Sequence, residues 1–243
     1  TVTEINALST GGTDLVCSFL STYTLTPNVE NGRISTTAAS NLTGNTLNND
    51  LYAGAGNNTL NGGTGIDTAS YLYATAAVTV SLERAGAQVT VGSGSDTLTS
   101  IEKLTGSRFS DTLTGNSTAN TLNGGLGNDI LTSGAGADFI RFDTLLNATS
   151  NRDTITDFSV INDTLQLENA IFGSLTTIGT LAAGSFHSGA GFTSAADAND
   201  YVIYNTTTGA LYYDAGGNTG AAAVQFATLT GAPALTNLDF MVT

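Results

Sequence analysis

Large apolar residues recur along this chain at every ninth position, each flanked by polar or small residues. Leu104, Leu113, Leu122, Leu131 and Ile140 are nine apart without a slip, and Leu42, Leu51, Leu60 and Ala69 form an earlier run in the same phase. The alternation lasts three residues around each apolar position, which predicts a short strand with one inward side chain. The six residues between strands are rich in Gly, Asn and Asp and read as a loop. Two units make one turn of eighteen residues, so each loop stacks on the loop two units further on, roughly 4.8 Å away across a parallel ladder. The period predicts an all-β fold, a parallel β-roll or β-solenoid.

The position two before each apolar residue carries the candidate chemistry. In the second run it reads Glu102, Asp111, Asn120, Asp129 and Asp138; in the first it reads Asn49, Asn58 and Asp67. Gly124 to Thr132 spells G-G-x-G-x-D-x-U-x, with U a large apolar residue, and Gly62 to Ser70, Val91 to Thr99 and Ser133 to Arg141 are near-complete copies. Glycine lets a loop adopt positive φ and lets stacked loops approach closely. A loop carboxylate, with backbone carbonyls of its own loop and the next, can then surround a hard cation, and calcium tolerates such an irregular set of six to eight oxygens. The candidate ligand pairs, eighteen residues apart, are Asp111 with Asp129, then Asn120 with Asp138, then Asn49 with Asp67. Asp96 occupies the equivalent position in a further copy. Gly63, Gly65, Gly125, Gly127, Gly134 and Gly136 are the loop glycines of these sites. Asn at positions 49, 58 and 120 lowers the ligand charge, so a metal-free solenoid with polar loops is the competing reading.

The tandem nonapeptide resembles that of the RTX (repeats-in-toxin) proteins, calcium-binding β-rolls exported by type I secretion. Tyr23-Thr24-Leu25 and Asn28-Val29-Glu30-Asn31 resemble the segment that precedes such arrays. Asp96-Thr97-Leu98, Ile101-Glu102 and Leu104-Thr105-Gly106 resemble the return into them. Asp153 to Phe158 and Asp163 to Leu167 resemble the C-terminal cap of serralysin-type proteases. The resemblance implies a chain that stays unfolded in the calcium-poor cytosol, passes the type I secretion apparatus and folds outside on calcium. It implies a secreted, extracellular or cell-surface protein of a Gram-negative bacterium.

Five segments are expected: residues 1–41 as an N-terminal cap or preceding solenoid turn, 42–70 as the first array, 71–103 as a β-hairpin insert, 104–142 as the second array, and 143–243 as a capping and secretion-signal region. In the insert, Val78, Val80 and Leu82 alternate, a polar turn follows, and Val89 and Val91 alternate again, which is a hairpin signal. Asp153 to Phe158 and Asp163 to Leu167 are expected to end the roll, and residues 176–200 read as loop. Leu238 to Thr243 fits either an export tail or a plain final strand.

Charge narrows the partners. Six Lys and Arg face twenty Asp and Glu, a net charge of −14, which argues against nucleic acid or an anionic membrane surface. No apolar run approaches the roughly 18 residues of a membrane-spanning helix. Cys17, the one cysteine, excludes an intrachain disulfide and reads as a small buried hydrophobe. His187, the one histidine, cannot build a histidine-rich zinc centre. No G-x-S-x-G or G-K-[ST] motif occurs, and the acidic residues follow the loop period, so the expectation is a non-catalytic module. Self-assembly and a cell-surface polysaccharide are the further candidate partners. The alternatives are a structural S-layer, matrix-filament or adhesin subunit, and the C-terminal region of a secreted protease, lipase or alginate epimerase.

Overall fold

The computed structural model describes residues 2–5, 12–220 and 222–243. Its architecture follows from the nine-residue period: three-residue strands, each with its central side chain inward, wound into a stack of turns with a sheet on either face. The long sheet runs the length of the molecule. Its strands, in spatial order, are Val2–Ile5, Leu15–Ser18, Asn31–Ile34, Asp50–Tyr52, Thr68–Ser70, Lys103–Thr105, Thr121–Asn123, Phe139–Phe142, Thr164–Leu167, Phe240–Val242 and Gly179–Thr180. The opposite face is split. A proximal sheet holds Thr22–Thr24, Ser40–Thr43, Asn58–Asn61, Gly94–Thr99 and Gln88–Val91; a distal sheet runs from Thr79–Ser81 through Thr112–Thr114, Ile130–Thr132, Asp153–Ile155, Val224–Leu229, Ala210–Tyr213 and Val202–Asn205 to Phe186–Gly189.

The register is the expected one. Leu104 pairs with Leu122 and Leu122 with Ile140 in the long sheet, Leu113 with Leu131 in the distal sheet, and Leu42 with Leu60 in the proximal sheet, all parallel. These inward residues are fully buried and form one continuous core cluster, each contributing about 1.5–3 kcal/mol of burial. Residues before the first array add further turns: Leu15–Ser18 and Asn31–Ile34 pair in parallel, and the glycine at position 32 leaves room for the Leu25 and Leu42 side chains.

Two segments depart from the sequence reading. The hairpin of the insert is formed by Gln88–Val91 with Gly94–Thr99, not with Val78–Leu82. Thr79–Ser81 instead adds in parallel to Thr112–Thr114, and its flank meets the hairpin through the bridge Val78 to Val91 and the side chain of Gln88. The insert is therefore the joint at which the second face passes from the proximal to the distal sheet. Gln88 seals the exposed flank of Thr79–Ser81: its side-chain oxygen accepts the Ser81 N–H at 2.7 Å and its nitrogen donates to the Ser81 carbonyl at 2.9 Å. Two hydrogen bonds from one amide reproduce what a neighbouring strand would supply, which blunts an open edge.

The second departure is at the C-terminus. Asp153–Ile155 and Thr164–Leu167 continue the roll rather than end it, because Ile155 stacks on Leu131 and Leu165 on Ile140, with Phe240 on Leu165 beyond. Loops longer than six residues precede both strands, which hides the register from a count of nine. The closing cap is the antiparallel ribbon Val202–Asn205, Ala210–Tyr213 and Val224–Leu229. Phe142, Phe172, Tyr213 and Phe226 pack edge to face beneath it, with ring centroids 5.0–5.2 Å apart. The segment expected as loop contains two short strands, Gly179–Thr180 and Phe186–Gly189. Among the described residues no helix is long and apolar enough to cross a membrane.

Candidate metal centres in the stacked loops

The loops form two rows along the edges of the roll, and the sixth residue of each six-residue loop links the row. One oxygen of its side chain accepts the backbone N–H of the sixth residue in the preceding loop. Asp67 thus accepts from Asn49 at 2.7 Å, Asp129 from Asp111 at 2.7 Å and Asp138 from Asn120 at 2.7 Å. The three residue pairs expected from the spacing are therefore brought together, and by the same bond each time. The ladder also runs on into residues absent from that expectation. Asp67 donates its N–H to Glu102 at 2.8 Å, Asp129 to Asp153 at 3.1 Å and Asp138 to Asp163 at 3.2 Å.

The remaining side-chain atoms divide the loops into two kinds. In a closed loop the sixth residue also accepts the N–H of the second residue, four positions back. Asn49 accepts from Asn45 at 2.7 Å, Asn58 from Gly54 at 2.8 Å and Asn120 from Asn116 at 2.7 Å. Asp111 is closed by the backbone N–H and the hydroxyl of Ser107, and Asp163 by Ser159 N–H at 2.8 Å. The amides go further. Asn49 Nδ2 donates to the carbonyls of Val29 at 3.0 Å and Glu30 at 3.2 Å, and Asn120 Nδ2 to that of Glu102 at 3.2 Å. An amide nitrogen there ties together the carbonyls of the loop above.

In an open loop the second and fourth residues are glycines in positive φ: Gly63 and Gly65 (95° and 133°), Gly125 and Gly127 (89° and 139°), Gly134 and Gly136 (91° and 143°). That conformation turns the second N–H away from the carboxylate. Gly63 donates to Asn61, Gly125 to Asn123 and Gly134 to Asp157 instead. The second oxygens of Asp67, Asp129 and Asp138 are consequently buried with no hydrogen-bond partner. The glycines also permit the stacking itself: a methyl group at Gly127 would collide with the carbonyl oxygen of Phe109, and one at Gly136 would lie 2.6 Å from that of Thr118.

Burial raises the carboxyls of these three loops, as it also raises those of the closed loops of Asp96 and Asp111. Burial pushes the Asp129 carboxyl up to about 7, helped by the charge of Asp111. Burial, then the neighbouring charge of Asp129, drives Asp153 well above the usual carboxylate range. Asp67 is raised by burial and by Glu102, and Asp138 by burial and by Asp163 and Asp157. Each orphaned oxygen therefore sits in a dry, anionic place, which is costly without a cation. Among the described residues no three acidic, histidine or cysteine side chains converge on one point, so any ion there draws part of its shell from backbone carbonyls. Oxygen-only donors, carboxylate plus carbonyl, suit calcium and not zinc, and the orphaned oxygens and glycine cradles fit it.

Asp96 differs from the other three. Its oxygens accept from Asn58 N–H at 2.8 Å and from the Thr90 hydroxyl at 3.2 Å, so the insert closes this loop without an ion. Burial still raises Asp96 to about 6. Glu102, Asp153 and Asp163 were missed as site residues, although each stands two before an inward apolar residue, Leu104, Ile155 and Leu165. Glu102 stands on the count of nine and only its pairing with Asp67 does not follow from it, while the D/E-x-U signal marks Asp153 and Asp163 once that count is given up.

A family model of the RTX calcium-binding nonapeptide repeat matches the chain in four copies, over residues 36–69 and 105–140. No curated protein matches it. The chain carries RTX nonapeptide repeats, which are calcium-binding motifs, wound as a β-roll.

Proposed function

We propose that this chain is a calcium-gated folding module of a secreted protein, with ions held at the three open loops. Asp129 with Asp153, Asp138 with Asp163, and Asp67 with Glu102 would supply the carboxylates, and the loop carbonyls the rest. The closed loops of Asn49, Asn58, Asp96, Asp111 and Asn120 serve as partners in the stack. The observation that carries this reading is the coincidence, in the same three loops, of a buried unpartnered carboxylate oxygen, two left-handed glycines and a second acid from the next loop. A ligand that binds only the folded state stabilises it by RT ln(1 + [L]/Kd). Sites of about 10⁻⁴ to 10⁻³ M fill outside a cell and stay empty in a calcium-poor cytosol. Type I export followed by folding outside is the route that fits such a switch, and the antiparallel ribbon Val202–Asn205, Ala210–Tyr213 and Val224–Leu229 acts as the cap that closes the roll.

Far-UV circular dichroism of the chelated chain, titrated with calcium and in parallel with magnesium, tests the reading. A cooperative gain of β signal with calcium alone is expected. A spectrum already complete in chelator and unmoved by calcium would overturn the folding switch. It would favour a second reading, a permanent structural or adhesive scaffold, for which the self-closed asparagine loops are the supporting observation. Sedimentation at rising protein concentration tests that reading, since a scaffold subunit should assemble and a module should remain monomeric.

A further inference from the structure

The outer face of the long sheet bears a groove of about 690 Å³ that meets the metal centres only along one edge, where Glu102 and Asn120 belong to both. The middle of its floor is polar, made by Thr105, Thr121 and Asn123 around Lys103, and Ile66 and Leu72 add exposed apolar surface to the lining. Two aromatic side chains stand along it, Tyr52 on Asp50–Tyr52 and Phe139 on Phe139–Phe142, and the lining runs on past Phe139 to Gln166 and Thr243. Four strand steps separate those strands, so the two aromatics stand about 19 Å apart at roughly 4.8 Å per step. The groove is an extended slot rather than a pit for one small molecule.

The walls are fixed in advance. Tyr52 packs on Tyr73 with centroids 5.5 Å apart, and the Arg33 guanidinium lies 3.7 Å over the Tyr73 ring. On the strand of Phe139, Arg141 is held by Asp143 and by Glu168, each at 3.1 Å, and Asn123 donates to Asp143 at 2.9 Å. Pre-ordered side chains lose little entropy when a ligand binds. Lys103 is the exception: among the described residues it forms no ion pair, in a chain where acids outnumber bases by twenty to six. Three of those six bases, Arg33, Lys103 and Arg141, lie on this one face.

The balance of donors and acceptors names the occupant. Asp50, Glu102 and Asp143 offer acceptors in the groove, while Lys103, Arg141 and Asn123 offer donors. A polyanion would meet three carboxylates, and an apolar peptide would bury unpaired hydroxyls and charges. Hydroxyl groups both donate and accept, so a polyhydroxylated chain satisfies this mixture, and the C–H faces of its rings can lie on the two aromatics. We propose that this groove binds an extended, neutral oligosaccharide, with Tyr52 and Phe139 as stacking platforms and Lys103 as the central hydrogen-bond donor.

The test is binding of the full chain, in calcium, to an array of immobilised neutral and acidic oligosaccharides of graded length. Wild type should bind neutral chains and prefer the longer ones. Tyr52→Ala, Phe139→Ala and Lys103→Ala should each weaken that binding by about tenfold or more, with Thr59→Ala on the proximal sheet as an unaffected control. Lys103→Ala removes an outward side chain, so its melting curve should match wild type even where an aromatic variant unfolds. No binding to any neutral chain, binding to acidic chains alone, or binding that survives all three substitutions would overturn the proposal. Concentration-dependent dimers that the same three substitutions abolish would overturn it too, in favour of a second copy as the occupant.

Discussion

Replacing Asp129 by Asn should change stability in opposite directions with and without calcium. In the calcium-free fold the Asp129 carboxyl titrates at about 7, against 3.8 when unperturbed. The folded state therefore retains a proton that the unfolded state has released, and stability falls as pH rises from about 4 through 7. The interval corresponds to about 4 kcal/mol at pH 8 as a ceiling, at about 1.4 kcal/mol per pH unit. An amide cannot ionise, but its nitrogen needs an acceptor in a buried place, so the net gain for Asp129→Asn in chelator at pH 8 should be about 1–3 kcal/mol. At pH 5 the gain should vanish. In about 1 mM calcium the sign reverses, because the variant loses an anionic ligand and with it a share of the binding free energy. The assay is urea unfolding followed by far-UV circular dichroism, at pH 5 and pH 8, in chelator and in calcium. Equal destabilisation in all four conditions would mean that Asp129 is only a packing residue. A chelated wild type that gains stability from pH 5 to pH 8 would refute the electrostatic argument itself.

Other substitutions separate the scaffold from its sites. Leu122→Ala empties a fully buried position and should cost about 2–5 kcal/mol, equally in calcium and in chelator, by the same urea assay. Gln88→Ala uncovers the Ser81 N–H and carbonyl; it should cost about 1–3 kcal/mol and speed hydrogen exchange at Ser81 while leaving the Leu122 amide protected. Gly127→Ala places a side chain at φ 139° against the Phe109 carbonyl, a strain of about 1–3 kcal/mol. It should raise the calcium midpoint in the dichroism titration, and a midpoint equal to wild type would show that this close approach is dispensable.

The core of the roll is legible in the sequence because one inward residue per strand repeats at a fixed interval and every such residue fills the same environment. The count fails only where loops lengthen. Leu131 stacks on Ile155, twenty-four residues on, and Ala69 on Leu104, thirty-five on, so the second acid of each metal centre is invisible to a search at eighteen. Which loops stay open is only half legible. Gly54 and Gly56 occupy the same positions as Gly125 and Gly127, yet that loop closes, since Asn58 accepts the Gly54 N–H and neither glycine turns left-handed. Gly92, Gly94 and Asp96 complete the motif on paper, and the Thr90 hydroxyl closes it through a hairpin that no local pattern specifies. Glycine permits the open form; the donors within reach of the sixth side chain decide it.

That division explains why asparagine interrupts one acidic row, at Asn49 and Asn120, and why in the other, Asp111–Asp129–Asp153, the first carboxylate is taken up by Ser107. Two ionised carboxylates one strand step apart, roughly 4.8 Å, repel by about 3–4 kcal/mol at an effective dielectric of 20, and an unbroken ladder would add that term at every step. Here no open loop follows another. Asp67 lies beneath the closed loop of Asn49, and Asp138 between those of Asn120 and Asp163; Asp129 lies beneath that of Asp111, whose carboxylate is occupied by Ser107. In the closed asparagine loops the amide supplies the positive end of a dipole where an ion would supply charge. In the turns up to residue 61 the side-chain oxygens of Asn49 and Asn58 are satisfied from within their own loops, and the buried atom left over at Asn58 is a neutral amide nitrogen, not an anionic oxygen. Asp67, Asp129 and Asp138 each keep one buried carboxylate oxygen unpartnered. Dependence on calcium should therefore be unequal along one continuous hydrophobic core, with the first turns held by their own amides and the later ones by the ion.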